Sequence, residues 1–227
     1  MFLYETHLHT AEASDCASAT GAEQADQFKK LGYDGIFITD HFFNGNSHIN
    51  VIAPYEAWEK KINLFYEGYE NAKRRGDKIG LKVFFGLEFN YRSTEFLTYG
   101  ITKETLIDHP EIINMEPVEY CNFVHQHGGL VIHAHPYREA PYIDTFRLVP
   151  EYVDGVEIYN AKNTKRANDL AKITAQAYDI AGICGSDCHH LDDDKLCAVA
   201  CETEINSFED FSRALTQRDL EIKILKE

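Results

Sequence analysis

The sequence holds no run approaching the ~18 consecutive apolar residues of a membrane-spanning helix, so no membrane role is expected. Its start, M-F-L-Y-E-T-H, has neither a basic segment nor a long apolar one, so no secretory leader is visible. Positive charge is scarce: 22 Lys and Arg stand against 37 Asp and Glu, a formal net charge of −15. That balance excludes a broad nucleic-acid surface, which needs a basic stripe. It leaves room for a small anionic substrate held through bound cations. The six cysteines (Cys16, Cys121, Cys184, Cys188, Cys197 and Cys201) form no C-x-x-C pair and no compact framework. Reduced thiols in a cytoplasmic protein are the expectation. The C-x3-C of Cys197 and Cys201 has no second pair beside it, so a zinc knuckle is not expected. There is also no G-x-G-x-x-G after the first strand, which argues against a dinucleotide-binding sheet.

What is present is alternation. Short apolar runs read as strands over Phe2–Thr6, Gly35–Thr39, Lys82–Leu87, Phe96–Ile101, Leu130–His133, Gly155–Ile158, Gly182–Gly185 and Ala198–Glu202. Between them, helical patterns are expected at Ala22–Leu31 (ended by Gly32), Tyr55–Arg75 (opened by Pro54 and ended by Gly76), Pro117–His127, Thr164–Tyr178 and Phe208–Arg218. Strand–helix alternation along the whole length implies parallel strands with right-handed crossovers. A closed or distorted barrel is expected, formed by one domain over residues 1–227.

The polar residues of interest fall where those strands end. The first ends in His7-Leu8-His9, whose two imidazoles share one face at i and i+2. The second ends in Asp40-His41, the third in Glu88, the fifth in His133-Ala134-His135, the sixth near Glu157, and the seventh in Asp187-Cys188-His189-His190. In a barrel of parallel strands these ends meet on one rim, where active sites are built. Imidazoles and carboxylates in that number suit zinc, manganese or iron, and a carboxylate such as Glu88 can bridge two ions.

In order and spacing, E-T-H-L-H-T (5–10), S-D (14–15), I-T-D-H (38–41), G-L-E-F (86–89), A-H-P (134–136), G-V-E-I-Y-N (155–160) and G-S-D-C-H (185–189) give the chain a strong resemblance to the PHP (polymerase and histidinol phosphatase) metal-dependent phosphoesterases. The resemblance implies an α/β fold, a distorted TIM-like (β/α)7 barrel with roughly two to three divalent transition-metal ions at the C-terminal ends of the strands. Carried over position by position, it implies one ion on His7, His9, Glu88 and Asp187. A second would be bridged by Glu88 and completed by His135, and a third held by Asp15, His41 and His189. Many relatives place a further histidine on the strand after the bridging glutamate. Here that stretch reads S-T-E-F-L-T-Y-G, so Glu95 or a water would stand in.

The activity implied is hydrolysis of a phosphate monoester or short nucleotide phosphoester by a metal-activated hydroxide. Glu88, Asp187 and Arg138 are the candidates for catalytic roles, and Arg138 also for clamping a phosphate. His48 and His190 are weaker substrate-contact candidates in loops at the rim. His133 is expected to support a ligand, and Glu157 reads equally as a base or as the hydrogen-bond partner of a ligand histidine. Asp40 is expected to be structural, as is the Trp58, Ile62, Phe65, Tyr69 stripe, and the Asp192–Asp194 run is expected to be a solvated loop. The partner expected is a small phosphorylated molecule, or the end of a short oligonucleotide. Two alternatives stand beside this. An amidohydrolase-like enzyme would act on C–N or C–O bonds, but those enzymes commonly bridge their metals with lysine, and no lysine ends a strand here. A non-catalytic metal-binding domain would keep the ligands without turnover.

Overall fold

The computed structural model describes residues 1–226. Its strands are β1 (Phe2–Glu5), β2 (Gly35–Ile38), β3 (Lys82–Tyr91), β4 (Thr94–Tyr99), β5 (Leu130–His133), β6 (Gly155–Asn160), β7 (Ala181–Gly185), β8 (Leu196–Cys201) and β9 (Glu221–Lys226). The helices are α1 (Gly21–Lys30), α2 (Ile49–Ile52), α3 (Trp58–Phe65), α4 (Glu67–Ile79), α5 (Lys103–Asp108), α6 (Pro117–Gln126), α7 (Lys165–Tyr178) and α8 (Phe208–Gln217), with a 3-10 turn at Pro110–Asn114. No helix among the described residues is long and apolar enough to cross a membrane.

One sheet runs in the order β7-β6-β5-β4-β3-β2-β1-β8-β9. Beyond its β7 edge the chain reaches back to β1: Leu8 bridges Cys188 in parallel, Asp187 N–H donates to the His7 carbonyl, and His9 N–H donates to the Cys188 carbonyl, both at 2.9 Å. The sheet is therefore nearly closed into a barrel, as expected. All-parallel pairing is corrected. The pairs β1/β2, β2/β3, β5/β6 and β6/β7 are parallel, but β4 is antiparallel to both its neighbours, β8 is antiparallel to β1, and β9 is antiparallel to β8.

The β4 reversal comes from a two-residue hairpin. Arg92 and Ser93 both have positive φ (48° and 65°), which matches the strand twist but is usually supplied by Asn or Gly. The expected strand therefore ended too early; β3 continues past Glu88, and β4 runs back beside it with Glu95 opposite Asn90. The expected Tyr55–Arg75 helix is also two helices meeting at Tyr66. Gly76 does not stop the second one. A Cβ there would lie 2.6 Å from the Leu81 carbonyl oxygen, so glycine lets α4 lie against the start of β3. The stop is Gly80, with φ +71°.

The core fills both sides of the sheet. Phe211 of α8 packs with Tyr4, Phe37 and Tyr99; Phe28 of α1 and Ala72 of α4 pack with Ile36 and Ile38. The stripe expected on the helical stretch is indeed packing: Ile62 and Phe65 are buried, and Trp58 donates to the Leu106 carbonyl (2.7 Å) while stacking edge-on to Phe42 and Phe43. These contacts fix the strand ends against one another, which is what a site built from several strands requires.

Candidate metal centre

At the barrel rim one carboxylate stands among four imidazoles. Glu88 Oε1 lies 3.1 Å from His135 Nε2 and 3.3 Å from His7 Nε2. Its Oε2 lies 2.7 Å from His41 Nδ1 and 3.6 Å from His9 Nε2. Asp187 Oδ1 closes the other side, 3.3 Å from His9 Nε2 and 3.5 Å from His7 Nε2. Among the described residues, ligand-capable atoms converge in four overlapping groups: His9, His41 and His189; His7, His135 and Asp187; His7, His9 and Glu88; and His41, Glu88 and Glu95. Within each group the atoms lie no more than 4.8 Å apart. Such overlap is consistent with more than one metal ion.

Two observations test whether the residues fit a metal. First, His41 Nδ1 and Glu88 Oε2, both buried, have no hydrogen-bond partner although they are 2.7 Å apart. Orphaned buried polar atoms are rare and costly. Second, the far nitrogens of the imidazoles are engaged so that the inward ones keep lone pairs. His7 Nδ1 meets Glu157 Oε1 at 3.0 Å, and a carboxylate accepts only, so Nδ1 carries the proton. Ser14 donates its hydroxyl to Asp40 Oδ1 (2.7 Å), so the same oxygen accepts from His9 Nδ1 (3.1 Å). His189 Nδ1 donates to the Asp187 carbonyl (2.8 Å). That is the arrangement by which outer hydrogen bonds aim histidines at a metal, and the donor set fits.

The electrostatics point the same way. Burial opposes charge on His7, but Asp187, Glu157 and Glu88 push its imidazole well above the ordinary range. His9 moves well below, through burial and the neighbouring His189 and His41. Burial would raise the carboxyls of Glu88 and Asp187, yet the surrounding cations hold both well below the usual range. Anionic oxygens crowded this closely call for positive charge, and a metal ion meets that demand as a proton does.

The backbone is shaped for the site. His135 (φ 26°) and Asp187 (φ 56°) take left-handed conformations that side-chain-bearing residues seldom adopt. His135 is held by its N–H donating to Glu157 Oε2 (2.8 Å), and Asp187 by its N–H on the His7 carbonyl. A Cβ at Gly185 would meet His7 Cβ at 2.3 Å and Glu157 Oε1 at 2.4 Å, so only glycine lets β7 pass that close.

Of the residues singled out in the sequence, His7, His9, His41, Glu88, His135, Asp187 and His189 all come together. Asp15 does not join them: it is exposed, and its Oδ1 pairs with His48 Nδ1 at 2.9 Å. Beside it is half-buried Cys16, which sequence reasoning passed over; burial raises the pKa of its thiol, but His189 and His41 bring it down to about 6. Glu95 does approach, 3.5 Å from His135 Nε2 and 3.9 Å from His41 Nδ1, where relatives were expected to carry a histidine. Glu157 proves to be the hydrogen-bond partner of His7 and of the His135 backbone. Asp40 is structural and acts on His9 through Ser14. His133 is buried against Phe96 and pushed down to about 3 by burial and His135. Asp193 accepts the His189 and His190 backbone N–H groups and pairs with Lys162, so it ties down a loop and is less solvated than expected. His190 is exposed and bonded to Ser18.

Arg138 lies at the edge of the cluster. Its Nη2 meets Asp187 Oδ2 and donates to Asn160 Oδ1 (3.0 Å), and its Nε donates to Asn163 Oδ1 (3.1 Å). Burial works against the guanidinium, but Asp187 holds it cationic. Glu95, His135, Arg138, Phe146 and Arg147 line one narrow cleft at this edge.

Residues 165–220, a stretch that contains Asp187 and His189, match the family model described as PHP-associated. No curated protein matches the chain significantly. A two-domain protein from Bacteroides vulgatus containing a predicted PHP-like metal-dependent phosphoesterase matches in structure with a TM-score of 0.73 at 15% identity. The match covers 98% of this chain and 64% of that one, so the chain spans just under two thirds of that protein's length. A Bifidobacterium adolescentis protein, provisionally assigned as a metal-dependent phosphoesterase, matches at 0.53 with 17% identity over 82% of this chain and 87% of that one. An amidohydrolase from Chromobacterium violaceum, with bound sulfate and no metal, matches at 0.54 with 12% identity over the same shares. At these identities the structural likeness is one of fold. Together with the family model it bears out the resemblance to PHP-like phosphoesterases.

Proposed function

We propose that the chain is a metal-dependent phosphoesterase acting on a phosphate monoester or a short nucleotide phosphoester. The observation that carries this is Glu88, whose two oxygens each face two imidazoles while Asp187 lies across from them. In this reading His7, His9, His41, Glu88, His135, Asp187 and His189 hold the ions, and Glu95 helps on the His135 side. When bound, divalent zinc, manganese or iron would supply Lewis-acid charge to the phosphoryl oxygens and acidify a water.

The chain's own part is orientation and charge. Glu157, Ser14 and the Asp187 carbonyl fix which nitrogen of His7, His9 and His189 faces inward. Arg138, held cationic and pinned by two asparagines, offers guanidinium N–H groups to an oxyanion at the cleft edge. His48, half-buried, and His190, exposed, are proposed contacts for the leaving group at the rim. A net charge of −15 repels nucleic acid in bulk, which favours a small phosphorylated molecule over a polymer. The six unpaired cysteines suit a reducing cytoplasm.

A second reading, hydrolysis of C–N or C–O bonds, draws on the likeness to the Chromobacterium amidohydrolase. Against it, the group that stands between the imidazoles where a bridge would lie is the carboxylate of Glu88. Metal-loaded protein, free of contaminating phosphatase, is to be assayed on phosphomonoesters, phosphodiesters, amides and lactones. Phosphate release that Arg138→Ala sharply lowers supports the proposal. Turnover of amides or lactones alone transfers it to the second reading, and no turnover of any class would leave a non-catalytic metal-binding domain.

A further inference from the structure

A groove of about 640 Å³ is lined by residues of α7, β6 and β9. That lies within the roughly 300–1,000 Å³ of small-molecule pockets. None of the candidate metal ligands lines it, so it is a second site. Helix periodicity builds one wall: Lys165, Asn168, Asp169 and Lys172 stand at i, i+3, i+4 and i+7 of α7, a single stripe. Strand alternation builds the other: Ile222 and Ile224 stand at i and i+2 of the edge strand β9, and Ile158 of β6 joins them. Ile224 is 45% exposed, so part of this apolar wall faces water.

Charge decides what such a groove favours. Lys165 is answered within the wall by Asp169, 2.6 Å away. Lys172 and Lys195 have no carboxylate partner among the described residues. The groove therefore presents two unneutralised ammonium groups in a chain whose formal net charge is −15. Apolar surface beside two such cations fits a small molecule with an apolar body and an anionic group. A nucleic-acid strand would need a longer basic track.

The asparagines of the groove also reach the metal centre. Asn163 Oδ1 accepts from Arg138 Nε (3.1 Å). Asn168 grips the Asn160 backbone: its Oδ1 accepts from the Asn160 N–H and its Nδ2 donates to the Asn160 carbonyl, both at 3.1 Å. Asn160 in turn accepts from Arg138 Nη2 (3.0 Å) and donates to Asp187 Oδ2 (3.3 Å). A ligand that draws on Asn163 or Asn168 thus acts on Arg138 through one or two hydrogen bonds that are already formed.

We infer that this groove is an effector site for a small amphipathic anion, and that its occupancy is felt at Arg138. The site is separate from the metal centre, so its binding does not depend on which reaction that centre performs.

The test titrates the full chain with anilinonaphthalene sulfonate, an anionic group on an aromatic body, read by fluorescence and by the NMR signal of the Arg138 Nε–H. Saturable binding is expected, with the Arg138 signal shifting as the groove fills. Lys172 and Lys195 are exposed, so changing them leaves the core untouched. The double variant Lys172→Glu, Lys195→Glu is expected to bind about tenfold or more weakly and to leave the Arg138 signal in place at the same probe concentration. Lys172→Arg, Lys195→Arg is expected to bind as the wild type does. No binding by the wild type would overturn the site. Equal affinity in the charge-reversed variant would do the same, placing the probe on another apolar patch such as exposed Val51, Ile52 and Tyr55. Binding that the reversal weakens, with the wild-type Arg138 signal unmoved, would overturn the effector role. A wild-type dimer that the reversal splits would give the groove to a second copy of the chain and contradict the ligand class.

Discussion

Exchanging Glu157 for glutamine tests the site through a residue that does not face the cluster. Its Oε1 accepts from His7 Nδ1 (3.0 Å), and its Oε2 accepts from the His135 backbone (2.8 Å) and from Asn160 Nδ2 (3.0 Å). All three partners are donors, so the glutamine NH2 must oppose at least one. Placed at Oε2 it would strand two buried donors, each costing about 1–3 kcal/mol. Placed at Oε1 it opposes only His7, which can answer by moving its proton to Nε2. The second arrangement is cheaper, so the fold survives while His7 loses the lone pair it points at Glu88 and Asp187. Removing such an outer partner typically lowers metal affinity about 10- to 100-fold, or ~1.4–2.7 kcal/mol. Chelator competition with zinc or manganese should show that loss in Glu157→Gln, with metal-free melting lowered only modestly. An affinity within twofold of the wild type would refute the claim that Glu157 sets the His7 tautomer.

Further expectations follow from single positions. Glu5 is fully buried, accepts from the His7 and Ser186 N–H groups through Oε1, and leaves Oε2 without a partner. Burial pushes its carboxyl from 4.5 up to about 7. A raised acid binds its proton more tightly folded than unfolded, so the metal-free protein loses stability as pH rises across that interval, by about 3 kcal/mol. In urea melts Glu5→Gln should gain about that much relative to wild type between pH 5 and pH 8, and an unchanged difference would contradict it. Arg138→Ala should lower kcat/KM on phosphoesters about 10²- to 10³-fold, the usual loss for one oxyanion donor, with metal content held; steady-state kinetics beside elemental analysis decides this. Gly185→Ala, which drives a Cβ into His7 and Glu157, should cost about 1–3 kcal/mol in thermal unfolding and lower metal uptake; unchanged uptake would contradict the close approach.

The strand ends were legible because apolar runs and their terminal polar residues sit together in the sequence, and barrel closure converts those positions into neighbours. His7, His9, His41, Glu88, His135, Asp187 and His189 were all found that way. What was missed depends on backbone conformation that residue type does not declare. Arg92-Ser93 gives no hairpin signal, so the reach of β3 past Glu88 and the antiparallel β4 were hidden. Glu95 was named only as a stand-in, because its approach depends on that hairpin register. The turn at Ser14–Ala17 sends Asp15 out to His48 and away from the cluster, and a motif does not tell which of its residues points in. Gly76 read as a helix stop because its packing against Leu81 and Val83 is a tertiary fact. β9, the exposed edge strand E-I-K-I-L-K, escaped because its short alternating pattern carries charge on one side, as edge strands do.

The most direct test is elemental analysis of protein purified without added metal, beside His9→Ala. His9 belongs to two of the four ligand groups, so the variant should lose metal without losing the barrel. The account predicts more than one transition-metal ion per wild-type chain and fewer in the variant. No bound ion, and none recovered on dialysis against zinc, manganese or iron, would contradict it.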